Sequence, residues 1–352
     1  VRLAVVVLIL LWAAAQADGQ AVPRTYTVWR DERAQVLAFV EVVSGEEVRV
    51  PADGQRFTPV QGGVMWWDID QRRVMWATPD GLSRPHPFVQ PEAGDARLDW
   101  VASEDGARLL WTTLRDDGAG TVSTRTWVAQ ADGTGRRQVF EEARTDGLRV
   151  KPVGFSATGA LALMDYQPVG LDDLILFPQF AGLFTLDLMS EGAPTPAFLP
   201  DEPSDFTGAG VRDGRVVRLT VGADGGFDLR VLDLALGRAQ TIDALPLSGF
   251  TLAGDVSVSP DGARAVYTLA TITGGAGAAV VRSVVVLVDV SGLTQTTLTT
   301  PQDRLLRAAG WTEDGLAVLL TDPAQDGTWK VRIDDGQIEP VASVRWIGTI
   351  EE

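Results

Sequence analysis

The 352-residue chain has no cysteine and no asparagine, one histidine (His86) and two lysines (Lys151 and Lys330). The missing thiols exclude disulfides, thiolate metal sites and cysteine nucleophiles. A single histidine excludes a multi-histidine metal centre. His86 lies between Pro85 and Pro87, a turn-like setting that reads as solvent-facing rather than catalytic. No G-x-S-x-G elbow supplies a serine nucleophile for it. Long polar tracts are also absent, and 45% of the residues are hydrophobic, so the chain is not a disordered one.

Basic charge is in short supply. Thirty Lys and Arg face 47 Asp and Glu, for a formal net charge of −17. An acidic chain repels phosphate backbones, and no basic run offsets this, so no nucleic-acid partner is expected. The excess of Arg over Lys reads as a GC-rich coding bias, because the arginines do not cluster along the sequence.

The one long apolar run is N-terminal. Arg2 precedes the apolar stretch from Leu3 to Ala15, and Ala15-Gln16-Ala17 is an A-x-A cleavage pattern. This reads as a secretory signal peptide over residues 1–17, followed by a short linker at 18–24 and one domain over 25–350. The expected location is periplasmic, cell-envelope or extracellular, with no membrane span after cleavage.

What is present in abundance is a repeat. Its clearest copy, Asp255 to Thr300, holds four β-like runs rich in Val, Thr and Tyr, separated by Gly, Pro and Asp. Turns ending in Gly45, Gly81, Gly133, Gly192, Gly237, Gly292 and Gly336 recur at steps of 36 to 59 residues. A second turn, between the first and second runs of each unit, ends in Gly106, Gly159, Gly214, Gly262 and Gly315, at steps of 48 to 55 residues. Four strands per period of this length is the pattern of a β-propeller blade. Six complete blades span about 56–341. The ends then supply a seventh: three strands at 25–31, 35–43 and 46–50, and one innermost strand at 344–350. The expected fold is therefore an all-β, seven-bladed propeller closed by three N-terminal strands plus one C-terminal strand, with six blades as the alternative. Trp66, Trp67, Trp76, Trp100, Trp111, Trp127, Trp311, Trp329 and Trp346 fall on these strands and are expected to pack between blades.

At Val258-Ser259-Pro260-Asp261-Gly262, with Asp289 and Gly292, and at Trp311-Thr312-Glu313-Asp314-Gly315, with Asp334 and Gly336, the unit resembles the TolB-type, WD40-like repeat of bacterial propellers. That resemblance implies a propeller fold and an envelope scaffold. It implies no particular activity.

Ligands of such a fold are expected on the face carrying the second-to-third-strand loops. The longest of these, 164–184, holds Asp165, Tyr166, Asp172, Asp173, Phe177 and Phe180. It reads either as a lid or partner-binding projection, or as a segment folded over its own blade. Asp116, Asp117, Asp322 and Asp326 occupy other loops of that face, and with Asp172 and Asp173 they form a candidate anionic rim. Calcium is a possible ligand of such a rim, although no loop has the D-x-D-x-D-G spacing. No cofactor and no catalytic residue is expected. The functional expectation is a monomeric, non-enzymatic scaffold binding a protein, peptide or glycan. The alternative is a glycan- or lactone-acting hydrolase or lyase using funnel carboxylates.

Overall fold

The recurring turn is a small hydrogen-bonded device. In Ser259–Gly262 the Ser259 hydroxyl donates to Asp261 Oδ1 (2.6 Å), and the same hydroxyl accepts from the amide of Arg264 (2.9 Å). Ser103 and Thr312 repeat the arrangement with Asp105 and Asp314. Gly106, Gly159, Gly262 and Gly315 all adopt φ of +66°, a conformation glycine enters without steric cost. Each turn reverses the chain so that the next run of alternating or continuous apolar residues pairs antiparallel with the last.

A computed structural model describes residues 23–171, 176–180, 182–190, 194–199, 208–212, 214–222, 224–234, 236–274 and 280–352. The expected signal peptide, most of the linker, Asp172 and Asp173 lie outside the described residues. The described residues contain no α-helix and form seven four-stranded sheets. Blade 1 orders Arg345–Glu351, Thr25–Asp31, Val36–Glu41 and Glu47–Pro51 from the channel outward. The inner strands of blades 2 to 7 are Gln55–Val60, Arg97–Ala102, Leu148–Phe155, Ala209–Arg212, Leu252–Val258 and Arg307–Trp311. Each is followed outward by three strands in sequence order. Every inner strand contacts its two neighbours, which closes the ring. The seven-bladed architecture and its closure are as the sequence implies.

The closure is a full strand pairing. Tyr26 lies opposite Ile350, Val28 opposite Gly348 and Trp29 opposite Trp346. The Glu352 amide donates to the Arg24 carbonyl at 2.9 Å, and the Tyr26 hydroxyl donates to Glu352 Oε2 at 3.1 Å.

The core lies between blades rather than within them. Separate apolar clusters join blades 1 and 2 (Val28, Phe39, Trp66), 2 and 3 (Met65, Trp100, Trp111), 3 and 4 (Leu110, Met164, Phe184), 4 and 5 (Leu163, Leu199, Val216), 5 and 6 (Leu229, Tyr267, Val286) and 6 and 7 (Val266, Trp311, Leu320). Blades 7 and 1 meet where the Trp346 indole covers Gly310; a Cβ there would lie 2.7 Å from the ring. Polar stitches reinforce the packing on the turn face. Arg108, Arg215 and Arg264 each donate to the turn-glycine carbonyl of the next blade, Gly159, Gly262 and Gly315, at 2.7, 2.6 and 3.5 Å. The basic residue that follows the turns at Gly106, Gly214 and Gly262 is thus a tie between blades.

His86 departs from the sequence-based expectation. It is 3% exposed, not solvent-facing. Its ring meets Phe88 edge-on at 4.6 Å and Trp76 at 5.8 Å, and its Nδ1 accepts from the Val89 amide at 3.0 Å. The flanking prolines fix a turn that folds inward rather than out. Burial, and secondarily the Arg84 charge, push its pKa down to about 4. A histidine whose folded pKa is depressed destabilises the fold as pH falls from its unfolded value, about 6.5, toward the folded one. His86→Asn keeps an acceptor for Val89 and removes the titration. Between pH 7 and pH 4.5 the wild type should lose roughly 2–3 kcal/mol more stability than this variant in urea unfolding. Parallel losses in the two proteins would exclude His86 as the cause.

Candidate functional site at the channel mouth

The inner strands begin on the loop face, and their first residues ring the channel mouth. There the sequence places Arg56, Arg97, Arg149, Lys151 and Arg307. Arg56, Arg97, Lys151 and Arg307 line one cavity of about 550 Å³, together with Asp99 and Trp67. An arginine cluster is therefore present, although the sequence showed none as a run. It is assembled from four blades.

Asp99 organises the cluster. Arg149 bonds its Oδ2, Arg97 Nε lies 3.1 Å from the same oxygen, and Arg56 Nη2 lies 3.3 Å from Oδ1. Burial alone would push this carboxyl up, but Arg149, Arg56, Arg97 and Lys151 outweigh it and hold the pKa below the ordinary value. Across the mouth Asp255 clamps Arg307 in a bidentate pair at 2.7 and 2.5 Å. Burial pushes the Asp255 pKa up against the pull of Arg307. Among the described residues, these five cations and two carboxylates carry a net charge of +3, on a chain that is net −17. Arg149 is 1% exposed, whereas Arg56, Arg97 and Arg307 keep 33, 27 and 31% of their side chains open. The inner cation is enclosed, and the outer three line the cavity while paired with Asp99 or Asp255.

Two of these residues sit on strained backbone. Arg56 and Asp255 have φ of +61° and +53°. Each opens a β-bulge, between Gln55 and Thr58 in blade 2 and between Gly254 and Ser257 in blade 6. A left-handed non-glycine residue costs on the order of 1–2 kcal/mol. Side-chain contacts offset it. Arg56 donates to the Leu98 carbonyl at 2.7 Å and stacks 4.0 Å over Trp100. Strain of this kind concentrates where a side chain must be aimed.

The expected 164–184 loop is shorter than the sequence suggests: Asp165 and Tyr166 belong to the strand Leu161–Pro168 and Leu183 and Phe184 to the strand Leu183–Asp187, and of the connection between them residues 176–180 lie at this mouth. Phe177, from the connection between the second and third strands of blade 4, packs against blade 6 among Leu252, Ala270 and Leu305. It is 1% exposed. Gly254 makes room for it, since a Cβ there would sit 2.3 Å from the Phe177 Cβ. Phe180 is buried between blades 4 and 5. Gln167 Nε2 donates to the Gln179 carbonyl (3.0 Å) and Arg218 to the Phe180 carbonyl (2.8 Å). Leu176 and Pro178 then form part of the cavity wall. Among the described residues the segment acts as a strap, with Phe177 anchored in blade 6 and Phe180 in the seam between its own blade and blade 5.

The remaining sequence candidates do not meet. Asp165 is fully buried and accepts from the Gly182 amide at 2.8 Å. Tyr166 stacks on Phe184 at 4.7 Å, and burial pushes its pKa up to about 12. Asp116 and Asp117 cap their own hairpin through the amides of Gly118, Ala119 and Thr121. Asp322 is buried and accepts from the Ala324 amide, while Asp326 pairs with Arg33 at 3.1 Å. Among the described residues no group of three or more His, Cys, Asp or Glu is placed to hold a metal ion.

These features define a seven-bladed β-propeller with a strapped, cationic channel mouth. No family model and no curated protein matches the chain. Among solved structures it is similar to an oligogalacturonate lyase from Vibrio parahaemolyticus (TM-score 0.53, 9% identity, covering 84% of this chain and 88% of that one). It is also similar to a puromycin-hydrolyzing peptidase of Mycobacterium tuberculosis (TM-score 0.54, 15% identity, covering 91% of this chain and 52% of that one). A putative TolB from Agrobacterium tumefaciens is a weaker likeness (TM-score 0.43, 15% identity, covering 84% of this chain and 96% of that one). At these identities the likeness establishes the propeller fold and not a TolB-type or enzymatic assignment.

Proposed function

We propose that this protein is an exported, non-enzymatic binding scaffold that takes an anionic ligand into the mouth of its channel. The observation that carries the reading is the convergence of Arg56, Arg97, Lys151 and Arg307 on one cavity. The chain is strongly acidic, yet the Debye length at physiological ionic strength is about 8 Å. A ligand inside the mouth therefore responds to the cations beside it more than to distant surface carboxylates. Guanidinium groups with fixed planes suit carboxylates and phosphates, which they bond in pairs. The mouth carboxylates Asp99 and Asp255 are both held by arginine, which favours binding over acid–base chemistry by a funnel carboxylate.

The test is thermal unfolding with citrate, inorganic phosphate, galacturonate and short acidic peptides, each against a neutral analogue. A ligand at a hundredfold excess over its dissociation constant stabilises by about 2.7 kcal/mol. The midpoint should rise by several degrees with at least one anion and with none of the neutral compounds. Equal shifts with neutral and anionic compounds would contradict the reading.

A further inference from the structure

The mouth cavity is not a closed pit. A second cavity of about 420 Å³ adjoins it and shares Trp67, Ala96 and Arg97 with it. Taken together, and called the trough below, the two follow a line from Lys151 and Arg307 past the shared residues to Arg72, at blades 2 and 3. Its outer part is bounded by the 91–97 crossing and by Arg72, on the hairpin that follows Gly63–Asp68. Arg72 is exposed and held at φ of +49°, a second strained position that aims a cation on this side of the mouth.

The charges along the trough are graded. The inner part has the cations described above. In the outer part the two carboxylates are already engaged: Asp95 lies 3.3 Å from Arg115 and 3.6 Å from Arg125, and Glu92 lies 2.9 Å from Arg125. The cations on the path are Arg72 and Arg97, the latter paired with Asp99. Where the two parts join, the wall is the half-buried Trp67 indole. A flat aromatic wall between cationic stations suits a rigid unit with an apolar face and an acidic substituent on each repeat.

We infer that the trough binds a linear, carboxylated oligosaccharide, a short uronate chain, with one acidic unit in the channel mouth and the next units running outward past Trp67. This rests on the anionic-ligand reading above and adds chain length and sugar chemistry to it.

Titration calorimetry separates the two claims. The probes are galacturonate, tetragalacturonate and tetraglutamate peptide, against the wild type, Trp67→Ala and Arg72→Glu, with circular dichroism to confirm folding. Tetragalacturonate should bind at least about thirtyfold more tightly than the monomer. Trp67→Ala should weaken the tetramer about tenfold and the monomer far less. Arg72→Glu, on an exposed hairpin where folding is not at stake, should weaken the tetramer severalfold more than the monomer. Tetramer and monomer of equal affinity, tighter binding of tetraglutamate, or variants that weaken both sugars equally would overturn the oligosaccharide inference while leaving an anion-binding mouth. Binding of none of the three would overturn both.

Discussion

A chain lacking residues 344–352 is expected to lose its cooperative unfolding transition as a monomer. Those residues provide the whole inner strand of blade 1, paired with Thr25–Asp31 from Thr25 to Arg30. Their removal exposes the edge of that strand, a template for pairing with other chains. It also removes the buried Ile350 and the partly buried Ile347 and Trp346. Burying one large apolar side chain contributes roughly 1.5–3 kcal/mol, so the loss rivals the 5–15 kcal/mol that separates folded from unfolded domains. The blade 7–blade 1 contact goes as well, because Trp346 is what covers Gly310. Since Glu351 lies opposite Thr25, the same segment transplanted ahead of residue 24 through a tight turn should restore a folded monomer. Light scattering and calorimetric unfolding of the two proteins check this. A truncated chain that melts cooperatively within a few degrees of the wild type would mean the ring does not depend on its closing strand.

Asp99→Asn is expected to lower the melting midpoint by on the order of 10 °C. The substitution preserves shape but leaves Arg149, 1% exposed, facing an amide instead of a carboxylate. Breaking a buried ion pair by neutralising one partner costs about 3–5 kcal/mol, and each kcal/mol moves the midpoint of a domain this large by roughly 2–4 °C. The pH dependence has a fixed sign. Asp99 is held below its ordinary pKa, so its contribution is complete above the unfolded value, about 3.9, and vanishes as pH falls through the lower folded value. Asp99→Asn should therefore differ most from the wild type at neutral pH and approach it in strong acid. The variant mouth has one more net positive charge, so an anion that raises the wild-type midpoint should raise the variant's further. A neutral-pH midpoint within 2 °C of wild type would show that Asp99 does not hold the cluster together.

Much of the fold was legible because a propeller is periodic. The turn at Ser259–Gly262 and its weaker copies mark the strand reversals, and the apolar runs between them match the observed strands to within a few residues. The ring closure was legible because 25–50 and 344–350 were left without partners. The site was largely hidden. Arg56, Arg97, Lys151 and Arg307 are scattered over some 250 positions, and only the shared starting point of their inner strands brings them together. Superimposing the repeats on those strand starts would have grouped the cations within the first four residues of their strands. The visible loop acids misled for the opposite reason: Asp116, Asp117 and Asp326 satisfy nearby amides or an arginine, and proximity along a loop is not convergence. Phe177 looked like a surface contact because nothing in its own stretch reveals that Gly254, in another blade, leaves a niche for it. His86 looked exposed because its prolines signal a turn without saying which way it faces.

The central claim is that the channel mouth binds an anion through its converging cations. Titration calorimetry with tetragalacturonate at two ionic strengths, using the wild type and the Arg97→Gln/Lys151→Gln variant, tests it most directly. Wild-type affinity should fall as salt rises and the double variant should bind at least about tenfold more weakly, with the difference narrowing at high salt. Affinity unchanged by the double substitution at both ionic strengths would contradict it.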